Sequence, residues 1–336
     1  RTTMTDTLRY VPVEEGFSHF LSRFHAGDIA GEKNKIVEVA SDDTLVHALE
    51  VLSSAKLLSA PVKDTKTGEY KGFVDMVDIM SVLLMSDLAA EIVEQLAMKE
   101  VDWVEFMKSS QELINSTHVR DIVEVSGRNP WKPVKATDDL KKLISSLTQE
   151  SHTQRVPIIG EEGEVVNIVT RTKLVLFLFN ELPQFPSISD TKICETEWFK
   201  KRTQPVVTIP ATVKAALAGE TMVEKTVSGL AVVDEDGKLV GAISATDFKR
   251  CLGQNMFAAM QTPVAEFLRL TNDHFKREQS LSPVVCSPDE TIMSMLKKLH
   301  DNHIHRLFIV DADNKPVGVI SLGDIVSYLH DNWQAA

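Results

Sequence analysis

GAISATDF at residues 241–248 and GVISLGDI at residues 318–325 share the pattern Gly-x-Ile-Ser-x-x-Asp. An apolar run that stops at a serine, with an aspartate three residues later, reads as a strand handing over to a helix. Serine caps the helix and aspartate sits in its first turn, where orphan N–H groups and the helix dipole favour an acceptor. Found once, the pattern implies capping. Found twice at the end of matching surroundings, it implies a repeated unit and a repeated site.

The likeness extends upstream. Residues 284–329 read VVCSPDETIMSMLKKLHDNHIHRLFIVDADNKPVGVISLGDIVSYL, and residues 206–252 read VVTIPATVKAALAGETMVEKTVSGLAVVDEDGKLVGAISATDFKRCL. Both run strand, polar cap, amphipathic helix, strand, acidic turn, strand, then Ser-x-x-Asp opening another helix. In the later unit Ser287-Pro288-Asp289-Glu290 precedes Ile292, Met295, Leu296 and Leu299, which share one helical face. LFIVD and VGVIS are short buried-strand runs around a turn rich in Asp and Asn.

Two further units occupy residues 36–84 and 131–178, where the positions matching Asp247 and Asp324 are Asp78 and Lys173. The chain is therefore expected to be α/β (α+β), with four β-α-β-β-α units in two tandem pairs. The expected divisions are an N-terminal extension at 1–30, units at 31–85, 118–180, 196–255 and 256–332, a helix-prone acidic connector at 86–117 and a linker at 181–195. Within the extension, EEGFSHFLSRF reads as a short helix docked on the first unit. LVLFLF at 174–179 falls far short of the roughly 20 apolar residues that span a bilayer and reads as part of a buried helix.

At 336 residues, 43% hydrophobic and 25% charged, the composition is that of a soluble globular protein. The net charge of −12 argues against a general nucleic-acid or anionic-membrane surface. RTTMTDTLRY carries no apolar core with a cleavage site, so no secretory signal is expected. Cys194, Cys251 and Cys286 form neither a disulfide framework nor a zinc motif, which fits a reducing interior, cytosolic or nuclear. The sequence shows no P-loop, no Gly-x-Gly-x-x-Gly turn, no His-Glu-x-x-His and no nucleophile–base motif, so no enzyme activity is expected.

HIHRLFIVD (303–311) with GVISLGDI, QRVPIIGEEGEVVNIVTRTKLVLFL (154–178) and VSGLAVVDEDGKLV (227–240) resemble the CBS-domain family. Four such units in one chain are similar to the gamma subunits of AMP-activated protein kinase. The resemblance implies paired repeats about pseudo-twofold axes, two pairs facing each other as a flat disc, and adenosine nucleotides (AMP, ADP or ATP) in the clefts. It makes Asp247 and Asp324 the ribose ligands and Ser244 and Ser321 phosphate contacts. His305 and Arg306, together with Arg155, would neutralise phosphates near the disc centre. Ser228 and Gly229 fall where the backbone approaches the ligand, and Thr208 aligns with a threonine near the base.

These assignments make chemical sense alone. A carboxylate accepts both vicinal ribose hydroxyls, a helix start favours an anion, and arginine offers a planar fork to phosphate oxygens. An adenine ring would find a slot against apolar strand residues such as Ile243 or Ile320.

The N-terminal half departs from the pattern. Asp78 is a candidate ribose ligand, but Asp75 replaces the usual Ser or Thr and would repel phosphate. Thr170 is retained, while Lys173 replaces the ribose Asp and Gln154 the family's His. This pair is expected to be degenerate. His300, His303 and His305 suggest a metal triad, but 300 and 303 lie near a helix end, 305 starts a strand, and no zinc-like spacing supports them; no metal is expected. The expected function is a non-catalytic regulatory protein that binds adenine nucleotide through its C-terminal pair and acts on a protein partner, a kinase complex being the natural class. The alternative is a scaffold with weak or degenerate sites, and homodimerisation stays open.

Overall fold

The computed structural model describes residues 16–31, 35–85, 115–148, 153–200, 205–250, 256–273 and 283–334. Cys251 and nearly all of the 86–117 connector lie outside the described residues.

Four three-stranded sheets are built alike. They comprise β1 (Val39–Ala40), β2 (Ser59–Lys63) and β3 (Tyr70–Asp75); β4 (Val134–Lys135), β5 (Arg155–Ile159) and β6 (Val165–Thr170); β7 (Thr208–Pro210), β8 (Gly229–Val233) and β9 (Leu239–Ser244); and β10 (Val285–Cys286), β11 (Arg306–Val310) and β12 (Pro316–Ser321). In each repeat the first two strands run parallel across a helix, and the last two form a hairpin. Every hairpin carries an irregularity at the same place, at Val62/Lys63, Ile158/Ile159, Val232/Val233 and Ile309/Val310.

Register builds the sites. The last residue of each hairpin pairs with the first residue of the preceding strand: Asp75 with Ser59, Thr170 with Arg155, Ser244 with Gly229 and Ser321 with Arg306. The residue that opens the last helix, Ser in repeats three and four but Asp75 and Thr170 in repeats one and two, is thus held beside the first residue of the second strand within every repeat. Three crossover helices end on a left-handed residue without resorting to glycine: Lys56 (φ 57°), Thr226 (φ 53°) and His303 (φ 51°). The next amide closes back onto the helix, as Val227 N–H does on the Met222 carbonyl at 2.9 Å. A β-branched residue is the costliest choice for this conformation, which marks Thr226.

The segment leading into each repeat completes its sister. Residues 117–119 bond to Asp43 and Leu45 of repeat one, and residues 24–26 bond to Asp138 and Leu140 of repeat two. Residues 262–264 likewise meet Val213 and Ala215 of repeat three, and Ile193 meets Glu290 of repeat four. The N-terminal helices Phe17–Leu21 and Ala26–Ala30 therefore dock on repeat two, not on the first unit as the sequence suggested. Phe17 and Phe20 meet the Phe185 ring at 5.2 Å, in the repeat-two core.

The cores show which repeats pack together. Repeats two and four share one helical core, including Leu143, Leu174, Leu296 and Val326. Repeats one and three share another, including Leu52, Ile79, Met222 and Phe267. Sheets meet within the sequence pairs: Ala231 and Leu239 of repeat three pack on Phe308 of repeat four. In the other pair, Trp131 stacks on Tyr70 at 4.4 Å. Each repeat thus has a sheet partner and a helix partner, and the four contacts close into a ring.

Candidate functional site

At the C-terminal helix starts the polar geometry is repeated almost atom for atom. Asp247 Oδ2 accepts from Ser244 N–H and Oγ–H, each at 2.8 Å. Asp324 Oδ2 accepts from Ser321 N–H and Oγ–H, each at 2.7 Å. The aspartate side chain turns back onto the strand end, half of a capping box with serine as donor. Each carboxylate is thereby fixed in orientation where strand becomes helix.

Guanidinium groups converge on these junctions. Arg306 crosses from repeat four to repeat three: its Nη2 donates to Ser228 Oγ at 2.8 Å, and its head lies over Gly229, where a Cβ would collide with it. Arg171 crosses from repeat two to repeat four: its Nη2 donates to the Leu147 carbonyl at 2.9 Å, while its head covers Gly323 in the first turn of the helix Leu322–Gln334. Arg155 stands over the Phe73 ring at 5.9 Å. Arg128 is buried, with Nε 3.6 Å from Asp75 Oδ2 and Nη1 donating to the Thr226 carbonyl at 3.3 Å.

These charges feel one another. Burial lowers Arg171 to about 10, with Asp324 opposing and Arg128 reinforcing the shift. Burial also lowers Arg306 to about 10, reinforced by Arg128 and opposed by Asp247. Both remain cationic at neutral pH. Arg155 is lowered by burial and Arg128 against the pull of Asp75 and Asp78. His305 is exposed at the strand entry, yet the protein packed around its ring, then Arg306 and Arg155, depress its pKa. Several guanidinium groups gathered at one junction, with carboxylates Asp247 and Asp324 beside them, offer both phosphate-type and hydroxyl-type partners to a ligand.

The N-terminal junctions are filled from within. Asp75 Oδ1 accepts from Val77 N–H at 2.7 Å and Asp78 N–H at 3.0 Å, replacing the serine as cap. Asp78 accepts from Asp75 N–H at 2.7 Å and from Ser126 N–H at 2.8 Å, so both of its oxygens are engaged, and it is 2% exposed. Burial and the neighbouring Asp75 carboxylate push Asp78 up to about 7. In repeat two, Thr170 caps Lys173 N–H at 3.2 Å, and Lys173 Nζ donates to the Ala30 carbonyl at 2.5 Å.

Of the residues singled out in the sequence, Ser228, Gly229, Ser244, Asp247, Arg306, Ser321 and Asp324 lie at the meeting of repeats three and four, with His305 and Arg155 beside them. Thr170 and Asp78 lie at the closed junctions. Thr208 is exposed at the start of β7, paired with Ala231. Ile243 and Ile320 correct the expectation of an adenine slot: they are 1% and 0% exposed and belong to the two helical cores. Strand alternation turns Ala242 and Val319 toward the sheet–sheet interface instead. His300 stacks on Phe179 at 4.8 Å, apart from any metal geometry, and among the described residues no group of three His, Cys, Asp or Glu side chains could hold a metal. Arg128, Arg171 and Gly323 were not anticipated.

Fold and site together define a tandem-repeat α/β protein whose charged centre is assembled where repeats meet. Residues 119–180, 202–253 and 279–331 match the CBS domain, so repeats two, three and four are CBS domains. It is similar to the 5'-AMP-activated protein kinase subunit gamma of Saccharomyces cerevisiae, 21% identical over 333 residues, covering 94% of this chain and 92% of that protein. It is 25% identical over 324 residues to the pig 5'-AMP-activated protein kinase subunit gamma-3, covering 95% of this chain but only 58% of that longer protein. Protein SDS23 of Candida albicans is 24% identical over 302 residues, covering 84% of this chain and 48% of its own length. Among solved structures, a Methanocaldococcus jannaschii protein proposed as an archaeal homolog of g-AMPK superposes with a TM-score of 0.66 at 19% identity, covering 90% of this chain and 99% of that one.

Proposed function

We propose that this chain is a non-catalytic regulatory protein that binds adenine nucleotide between repeats three and four. Asp247 and Asp324 hold ribose, and Arg306, His305, Arg155 and Arg171 face phosphate. The observation that carries this reading is the crossing of Arg306 to Ser228 and Gly229, which sets a guanidinium beside the Ser244–Asp247 helix start. The gamma-subunit relatives support the nucleotide, since their names tie them to AMP-activated kinases. A ligand bridging two repeats favours one relative geometry of the ring, and a partner that favours the same geometry is coupled to it reciprocally. A protein kinase complex is the proposed partner class.

Calorimetric titration with AMP, ADP and ATP, repeated on Asp247→Ala and Asp324→Ala, tests the proposal. Binding in the physiological range, weakened by each substitution, supports it; no binding by the unmodified protein overturns it. A scaffold role is the second reading, favoured by the two junctions of the N-terminal pair that the chain itself fills. It predicts partner binding that nucleotide does not alter.

A further inference from the structure

The segment Glu124–Asn129 sits on the repeat-one junction as a ligand would. Ser126 N–H donates to Asp78 Oδ1, and Asn129 Nδ2 donates to Asp75 Oδ2 at 2.8 Å. Arg128 Nε lies beside the same Asp75 oxygen, and the Glu124 side chain lies over Gly72, whose φ of 142° and missing Cβ leave it room. One amide donor thus meets Asp78, the carboxylate that in an open site would receive ribose hydroxyls, while a second donor and a cation meet the neighbouring Asp75. Arg128 and Asn129 are 4% and 2% exposed, so this contact is interior structure and not a surface association.

The far end of Arg128 leaves repeat one. Its Nη1 bonds to the carbonyl of Thr226, the strained left-handed residue that opens the loop running to Ser228 and Gly229. That loop receives Arg306 from the other side. Two arginines, one from the segment before β4 and one from β11, therefore grip the same few residues of repeat three. Non-glycine residues hold such backbone only where surroundings over-determine them.

We propose that Glu124–Asn129 is a built-in occupant of the repeat-one junction, and that Arg128 is a positioning residue which uses Asp75 as its anchor to set the 226–229 loop and, through Ser228, the phosphate-facing Arg306. This deepens the nucleotide reading and rests on it. The carboxylates of repeat one then serve the C-terminal site at a distance, and the junction itself takes no nucleotide.

Binding of AMP and of adenosine to the full chain separates positioning from mere stability. Arg128→Ala is expected to weaken AMP about tenfold, the size of one charge-assisted hydrogen bond, while adenosine, which lacks the phosphate that Arg306 meets, changes little. Arg128→Lys should recover part of the loss, because it restores the charge without the fork. Asp78→Asn should leave the number of AMP molecules bound unchanged. Equal losses for AMP and adenosine, or none for either in a folded variant, overturn the positioning role; a lower stoichiometry in Asp78→Asn overturns the built-in occupant. If the unmodified chain binds neither compound, the nucleotide reading falls as well, whereas normal binding by Arg128→Ala removes the inference alone.

Discussion

Arg306 and Ser228, 78 residues apart, are joined by a 2.8 Å hydrogen bond that carries the charged arm of repeat four onto the loop of repeat three. Gly229 lets this happen, because its bare Cα leaves the space that the guanidinium fills. Gly229→Ala should therefore expel Arg306 from Ser228. Its backbone φ is ordinary, so the fold survives, with a stability cost of about 1–3 kcal/mol from overpacking. AMP affinity should fall about tenfold, and adenosine much less. Titration of both compounds, with thermal melting as control, checks this.

The sheet–sheet contact between repeats three and four rests on few residues. Phe308 is 2% exposed and packs against Ala231 and Leu239. Phe308→Ala should cost about 3–5 kcal/mol, typical for removing a buried ring. Since the nucleotide would bridge the same two repeats, saturating AMP should raise the melting temperature of this variant, an ordinary mass-action effect. Calorimetric melts with and without AMP test both statements.

The repeat and its hairpins were legible because local signals agree: a cap, an amphipathic face, an acidic turn and Ser-x-x-Asp recur in order. The side on which Ile243 and Ile320 point was not. Each sheet is covered by helices on one face and by its sister sheet on the other, so both faces are apolar and alternation gives no direction. Arg171 and Arg128 were invisible for a different reason. Each acts in a repeat other than its own, and nothing in local periodicity records a partner that distant. The swapped leading segments, which seat Phe17 and Phe20 on repeat two, escaped in the same way.

Asp78 makes stability depend on pH. Its folded pKa is raised from the ordinary 3.8 to about 7 by burial and Asp75. Between those values the folded protein holds a proton that the unfolded chain has released, so stability falls as pH rises through this window. Asp78→Asn removes the titration. The variant loses an acceptor for Ser126 or Asp75 N–H at every pH, but its melting temperature relative to the unmodified chain should rise from pH 4 to pH 7 and then level. A difference that is flat across this range would show that Asp78 is ionised in the folded state throughout.

Lys173→Asp restores by sequence the ribose carboxylate missing from repeat two, yet it should create no site. Lys173 Nζ donates to the Ala30 carbonyl, which also accepts from Asn167 Nδ2 at 2.7 Å, so the N-terminal helix Ala26–Ala30 closes the junction. An aspartate there would set a carboxylate toward a carbonyl oxygen and remove a charged donor. The expected cost is about 1–3 kcal/mol, with no added nucleotide bound. Melting should show the destabilisation and calorimetry an unchanged stoichiometry. A gain of one nucleotide would mean that the helix can be displaced by a ligand, and that residue 173 alone decides occupancy of this junction.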